Sequence, residues 1–463
     1  MGLPARPGTR PPLPPVRRRK PPLPGPGGAR TVLPPADQPA PRTRDLRTAS
    51  PSVAQESRAM SANQICFVTS YPLERQDLGG GSWVDRRLVR TLQAAGHEVE
   101  VVCVTGPPGQ WTSEGVVQRS AGSVPLEIRH DRRRLWGVAV AMMTSTQPYL
   151  CHKFTSFEGW PQAAGLLAER SPGRTVLTSG WPALLLADAA RVPVAGHVAH
   201  NVESAVAAEH APLPLRVLGE VPRLRRAERW LLGRAGRVLA LSRTDAGILR
   251  EWGIPATALP VPLTAAPAPA EPSVPAARTP EPRWGRAPVP PLPEQPRTPA
   301  VVGFIGKAGW PPNTRAIRAL LGPVHHRLTQ LGVPVDYVLA GRGTEAVSDH
   351  PRVVATGRVA DISDFYRRVG LVVVPRFGAS TGVSVKVLEA AENGVPALVP
   401  SPLAAAIDPA GPWLVADDTD SMAAAIARWW RLRQSPDVGS WVRAQDAGQT
   451  LAALDGVLPV TSA

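Results

Sequence analysis

Residues 371–396 read LVVVPRFGASTGVSVKVLEAAENGVP, and the order of residue types in this stretch decides the fold. Leu371 to Val374 is a continuous apolar run, which suits a parallel strand buried on both faces. A small-residue loop follows, Gly378-Ala379-Ser380-Thr381-Gly382. Val383, Val387, Leu388 and Ala391 then recur at helical spacing, and Asn393-Gly394 ends the helix. Strand, glycine-containing loop and helix N-terminus predict an anion cradle, because the first amides of a helix lack partners and its dipole favours negative charge. Lys386, one turn into the helix on this reading, adds a full positive charge. Glu389 lies three residues further along the same face, and a carboxylate there suits a grip on sugar hydroxyls. The plainer reading is an ordinary βα unit with a solvated Lys–Glu pair.

The same strand–helix alternation extends on both sides. Val301–Ile305, Val335–Ala340 and Val353–Val354 read as strands, with helices near Thr314–Gln330 and over Ile362–Arg368. Further upstream, Ile65–Thr69 is a strand, Gly79-Gly80-Gly81-Ser82 a flexible turn, Trp83–Ala95 a helix and Val99–Val104 a second strand. Strand-like runs recur at Thr175–Thr178, Val194–Val198 and Val238–Leu241. Two βαβ series predict an α/β chain with two doubly wound parallel sheets. Ligands of such sheets sit at the carboxyl ends of the strands, so the cleft between the two parts is the expected site. The predicted boundaries are a disordered Pro/Arg-rich tail over 1–62, a first domain over 63–262 and a Pro-rich linker over 263–299. A second domain covers 300–436, and a C-terminal helix (Trp441–Ala453) and tail cover 437–463.

The chain has 463 residues, 43% of them hydrophobic, which is enough for two sizeable cores. Proline is anomalous at 55 residues. The net charge is +15, and residues 1–60 hold 11 Lys and Arg against 3 Asp and Glu, more than half of the excess. Such a tail can attract nucleic acid or an anionic membrane; the alternative, favoured here, is an unstructured extension, with no nucleic-acid partner. Met60 directly precedes the folded pattern and is a candidate start of translation. The three cysteines set no disulfide framework, and Cys66 and Cys103 fall in apolar runs, which fits a reducing cytoplasm. The N-terminus lacks the apolar region of a secretory signal. The longest apolar run, Leu135–Met143, is too short to span a bilayer. The basic amphipathic helix Arg223–Gly233 sets Arg225, Arg226 and Arg229 against Leu224, Trp230 and Leu231. It packs on its own domain or rests on the inner face of a membrane.

Other motifs are weaker. Gly341-Arg342-Gly343 imitates half of a dinucleotide fingerprint but lacks its third glycine. Asp418-Thr419-Asp420 has a spacing that can hold a divalent metal, yet it stands just before the helical run Met422–Trp430, where it reads as an N-cap. His197, His200 and His210 cluster near a strand end with Asn201 and Glu203, and His200-Asn201-x-Glu203 falls just past the strand at the expected cleft mouth. No Cys/His cluster has metal-ligand spacing, and neither Gly-x-Ser-x-Gly nor a Walker A run occurs.

Six segments in order resemble the retaining glycosyltransferases of family 4: GGGSWVDRRLVRTLQAAGHEVEVV, HNVE (His200–Glu203), ERWLLGRAGRVLALSRTDAGIL, FIGKAGWPPN, GRVADISDFY and FGASTGVSVKVLEAAENGVP. The resemblance covers roughly residues 64–430. It implies the GT-B architecture, two Rossmann-like domains facing across a cleft, the first for the acceptor and the second for a nucleotide-sugar. It also implies site residues. Gly79 and Gly80 would close on the donor diphosphate, and His200 would stand beside the donor sugar. Lys307 falls where the family often has an arginine for the leaving pyrophosphate. Val359 would meet the base through its backbone, Thr381, Gly382 and Val383 would line the donor site, and Glu389 would hold the ribose. Two positions depart from the pattern. Thr381 stands where the family has a glutamate, and Pro312 where it has a lysine. Lys386 replaces that lysine in a subgroup with Gly-x-x-x-Lys-x-x-Glu, matched by Gly382, Lys386 and Glu389.

The implied activity is sugar transfer from a nucleotide-sugar to an acceptor hydroxyl, with retention of configuration. The partners are that donor and an acceptor glycan, lipid-linked sugar or small molecule. No cofactor and no metal are expected. The competing readings are a sugar-nucleotide epimerase or phosphorylase of the same fold, and a decayed transferase serving as a scaffold.

Overall fold

The structure is a computed structural model that describes residues 64–74, 80–122, 131–264, 300–347, 350–378 and 381–458. The expected tail 1–62, nearly all of the linker 263–299 and Gly79 therefore lie outside the described residues.

The N-terminal lobe is built on an eight-stranded sheet in the order β3-β4-β2-β1-β5-β6-β7-β8. The strands are β1 (Gln64–Thr69), β2 (Glu98–Cys103), β3 (Gly109–Ser113), β4 (Val116–Ser120), β5 (Thr175–Ser179), β6 (Gly196–Ala199), β7 (Arg237–Ala240) and β8 (Ala256–Ala258). All neighbours pair in parallel except β3 with β4. Ile65, Cys66, Phe67 and Val68 of β1 are all buried, as a central strand covered by helices on both faces requires. One apolar cluster lies on each side of this sheet.

The C-terminal lobe carries six parallel strands in the order β11-β10-β9-β12-β13-β14. These are β9 (Ala300–Ile305), β10 (Val335–Ala340), β11 (Val353–Gly357), β12 (Leu371–Val373), β13 (Ala397–Val399) and β14 (Leu414–Val415). The two lobes and their largely parallel sheets are those expected from the two βαβ series; the antiparallel β3–β4 pair was not expected.

Three local expectations change. The single helix near 314–330 is helix Pro311–Ala319, a π-turn over Leu320–Val324 and helix His325–Gln330. Pro323 has no N–H and its ring crowds the carbonyl four residues back, so the helix widens there. The C-terminal helix is split into Val438–Ala444 and Ala447–Leu454, because Asp446 caps a new start by accepting from the Gln449 N–H at 3.0 Å. Gly341, half of the supposed fingerprint, has φ +115°, and a Cβ there would collide with the Gly306 carbonyl. Glycine lets the loops after β9 and β10 cross.

Candidate active site

Both sheets reverse strand order at their first strand: β1 lies between β2 and β5, and β9 between β10 and β12. Side loops diverge at such a point and leave a crevice at the carboxyl ends. Thr69 and Ser179 end the strands flanking the first crevice, and Lys307 and residues 374–384 follow those flanking the second.

On the N-terminal side, His200 follows β6 and its Nε2 lies 2.8 Å from Ser179 Oγ. Ser179 Oγ donates to Asp85 Oδ1 at 2.5 Å, and Thr69 Oγ1 donates to Asp85 Oδ2 at 2.5 Å. His200 Nε2 is itself 3.4 Å from Asp85 Oδ1. Asp85 is buried one turn into helix Gly80–Ala94. Sequence reading found His200 but missed Asp85, Ser179 and Thr69, because three strands and a helix bring them together from distant positions. The other two histidines are separate. His197 is buried, its Nδ1 is 2.9 Å from Thr178 Oγ1, and burial drives it down to about 3, so it stays neutral in the core. His210 Nδ1 is 2.7 Å from the Arg315 guanidinium of the other lobe. Glu203 is raised by burial, and its hydrogen bond to Asn201 opposes the rise.

On the C-terminal side, the cradle helix is Val385–Glu392, with Ser384 at its N-cap and Val383 still in the loop. Lys386 is thus the second helical residue, not one turn in. Its Nζ donates to Asn313 Oδ1 at 3.0 Å and lies 4.7 Å from the centre of the Phe304 ring. Asn313 in turn donates to the Lys307 carbonyl at 3.0 Å, which ties Lys307 and Lys386 into one pocket wall. The full charge expected on Lys386 is not what the site provides. Burial first, and then Arg376, push it down to about 7, against the pull of Glu389. Glu389 accepts from the Tyr366 hydroxyl at 3.2 Å, and that hydroxyl is also 3.3 Å from the Lys386 carbonyl. Burial raises Glu389 to about 7, with Tyr366 and Arg87 opposing. Sequence reading assigned no role to Tyr366. Val359 packs partly buried against this lobe's core, just past Gly357, where φ is +64°.

The lobes meet at the cradle. The Gly382 N–H donates to Asp245 Oδ2 at 2.7 Å. Gly382 has φ +69°, and a Cβ there would strike Asn201 Oδ1 and the His200 carbonyl. Thr381 and Val383 flank it, half-buried. Gly80, expected in a flexible turn, instead begins a helix, and a Cβ on it would lie 2.5 Å from Val385 Cγ2. Arg87 pairs with Glu392 across the same seam. Asp418 caps helix Thr419–Leu432 in a capping box with Ser421. Among the described residues no group of three or more His, Cys, Asp or Glu is placed to hold a metal.

Two family descriptions match the chain: a glycosyl transferase 4-like domain over residues 79–264, and glycosyl transferases group 1 over residues 299–431. Together they take in both lobes and both halves of the cleft. The chain is a GT-B glycosyltransferase. No curated protein sequence matches it. Solved structures share the glycosyltransferase's fold at low identity. The α,α-trehalose-phosphate synthase (UDP-forming) of Burkholderia vietnamiensis is 11% identical with a TM-score of 0.54, over 85% of this chain and 98% of that chain. The α,α-trehalose 6-phosphate synthase of Burkholderia multivorans is 12% identical with a TM-score of 0.52, over 86% and 98%. The E. coli trehalose-6-phosphate structure bound with UDP-2-fluoro glucose is 11% identical with a TM-score of 0.53, over 86% and 99%.

Proposed function

We propose that the glycosyltransferase moves a sugar from a nucleoside-diphosphate donor to an acceptor hydroxyl with retention at the anomeric carbon. The observation that carries this reading is the meeting of His200 with the 381–383 loop, directly ahead of the helix that bears Lys386 and Glu389. Bond cleavage leaves a diphosphate and an oxocarbenium-like sugar. Lys307, Lys386 and the amides of the cradle loop stabilise the departing charge, Gly79 and Gly80 close over it, and Glu389 holds the ribose while the Val359 backbone meets the base. The lysines and amides stabilise that charge without a metal, and the leaving diphosphate can itself accept the acceptor's proton, so no protein base is demanded. That two solved neighbours are a UDP-forming synthase and a structure holding UDP-2-fluoro glucose supports a nucleotide-sugar donor.

The test is a panel of nucleotide-sugars with candidate acceptors, with the anomeric configuration of the product read by NMR. Retained configuration with turnover in EDTA is the expected result. An inverted product, loss of turnover restored by magnesium or manganese, or an epimer or sugar phosphate formed from donor alone would each overturn part of the reading. Nucleoside-diphosphate binding with no turnover on any acceptor would favour the scaffold.

A lipid-linked acceptor at the inner face of a membrane is favoured by one feature of the N-terminal lobe. Trp136 and Met143 of helix Arg132–Thr144 are 70% and 66% exposed, and Leu213 and Val217 of helix Leu213–Val217 are 72% and 77% exposed. Arg223, on helix Glu220–Leu232, donates to the carbonyls of Met142 and Ser145, so the exposed basic helix and the apolar one are locked together. Exposed apolar side chains on a lobe that also exposes Arg225, Arg226 and Arg229 suit an anionic bilayer surface. No helix among the described residues is long and apolar enough to cross one.

A further inference from the structure

Counting protons around His200 assigns its tautomer. A carboxylate only accepts, so Asp85, at 2.5 Å from both hydroxyls, takes the single protons of Thr69 and Ser179. Ser179 then has only lone pairs left for its 2.8 Å contact with His200 Nε2, and that nitrogen must carry the hydrogen. In the neutral ring the lone pair is therefore on Nδ1. That edge of the ring faces Gly81, where a Cβ would lie 3.1 Å from both Nδ1 and Cε1, and Nδ1 has no hydrogen-bond partner among the described residues. The side chain is 18% exposed while Asp85 is 4% exposed, so the ring reaches solvent while its anchor is buried.

We infer that Asp85, acting through Ser179, is a positioning residue that holds His200 with Nδ1 as a hydrogen-bond acceptor for a substrate hydroxyl. Two features support this. Asp85 sits in the first turns of a helix that starts hard against the other lobe at Gly80 and close to His200 at Gly81, so its backbone is held near the ring. Its carboxylate is satisfied by two hydroxyls and the neighbouring ring nitrogen, an arrangement with no spare donor to reverse the direction of the chain. A histidine with the opposite tautomer would present an N–H to the substrate and reject a hydroxyl proton. A carboxylate that fixes an imidazole's tautomer without touching substrate is a known way to gain rate, and the wrong tautomer costs several powers of ten elsewhere.

This inference rests on the reading that His200 meets the substrate, and the experiment separates the two. Wild-type enzyme labelled with ¹⁵N-histidine, with His200 assigned by comparison with His200→Gln, should show pyrrole-like Nε2 and pyridine-like Nδ1. Asp85→Ala frees the Ser179 proton and should give a tautomer mixture, with kcat lower by roughly 10² and donor KM changed less than about threefold. Asp85→Asn keeps one acceptor for Ser179 and should recover part of both the tautomer preference and kcat. Ser179→Ala should cost about tenfold in kcat and serves if Asp85→Ala fails to fold. A proton on Nδ1 in wild type overturns the assignment. So does an Asp85→Ala enzyme with wild-type kcat, or Ser179→Ala with unchanged kcat. Absence of any sugar transfer by wild type would remove the functional reading yet leave the tautomer result standing.

Discussion

Gly382 and Asp245 are joined across the two lobes by a single 2.7 Å hydrogen bond, backbone N–H to carboxylate. Asp245 is fully buried, and its other oxygen has no hydrogen-bond partner among the described residues. Burial raises it to about 7, the Gly382 amide opposes the rise and the like charge of Glu203 adds to it. Folding therefore takes up a proton here between the ordinary aspartate range and pH 7. Stability is lost as pH rises through that window, and the full deficit stands above it. Asp245→Asn removes the titration and keeps an acceptor for Gly382. The variant should melt several degrees above wild type at pH 8.5 and gain nothing at pH 4.5. Calorimetry showing a lower melting temperature at pH 8.5 would mean that the ionised form is the one the interface needs.

Lys386 should matter for turnover more than for affinity. A cation beside a diphosphate interacts more strongly as the glycosidic bond breaks, so Lys386→Ala should lower kcat by roughly 10²–10³ with a small change in donor KM. The lysine is depressed to about 7 in the free chain, and its protonated form is the useful one. Wild-type kcat/KM should accordingly fall as pH rises through about 7, and the alanine variant should lose that limb. Full activity at pH 9 would put the charge that neutralises the leaving group elsewhere.

Glu389→Gln should weaken nucleoside-diphosphate binding by about ten- to hundredfold, the worth of a hydrogen bond to a charged group, roughly 1.5–3 kcal/mol. Tyr366→Phe should lose less, because the tyrosine only orients the carboxylate through its 3.2 Å contact. Isothermal titration of both variants measures this, and an unchanged Kd for Glu389→Gln ends the ribose role.

Vesicle sedimentation tests the exposed apolar row. Wild type should bind vesicles containing an anionic lipid and not pure phosphatidylcholine, and binding should fade with salt. Trp136→Ser combined with Val217→Asp should abolish it while leaving transfer to a water-soluble acceptor intact. Equal binding by the double variant would show that the row is not the contact.

The fold was legible because buried parallel strands are uninterrupted apolar runs, as in Leu371–Val374 and Ile65–Val68, and because glycines mark the loops that must turn or cross. The cradle was legible for the same reason, since its signal is local. What could not be read was partnership over distance. Nothing near Asp85 in the sequence points to Ser179, and nothing near Asp245 points to Gly382. Nor could the charge state of Lys386 be read, since it depends on Phe304, Asn313 and Arg376 closing around it. The helix start was misplaced by two residues because Val383 fits the apolar spacing while serving the loop.

The chain crosses between lobes twice, once after Thr264 and once between Ala444 and Ala447, and the two crossings are tied together. The Leu263 N–H donates to the Gln445 carbonyl at 3.1 Å, and the Thr264 N–H donates to Glu392 Oε1 at 2.8 Å, at the end of the cradle helix. Beyond the second crossing, helix Ala447–Leu454 is fastened to the first lobe by Thr450, whose hydroxyl donates to the Pro260 carbonyl at 2.9 Å. Leu263, Thr264 and Gln445 thus lie side by side at one edge of the seam, bonded to both lobes. Any separation of the lobes would have to bend the chain at this edge, where Leu263, Thr264 and Thr450 hold both lobes.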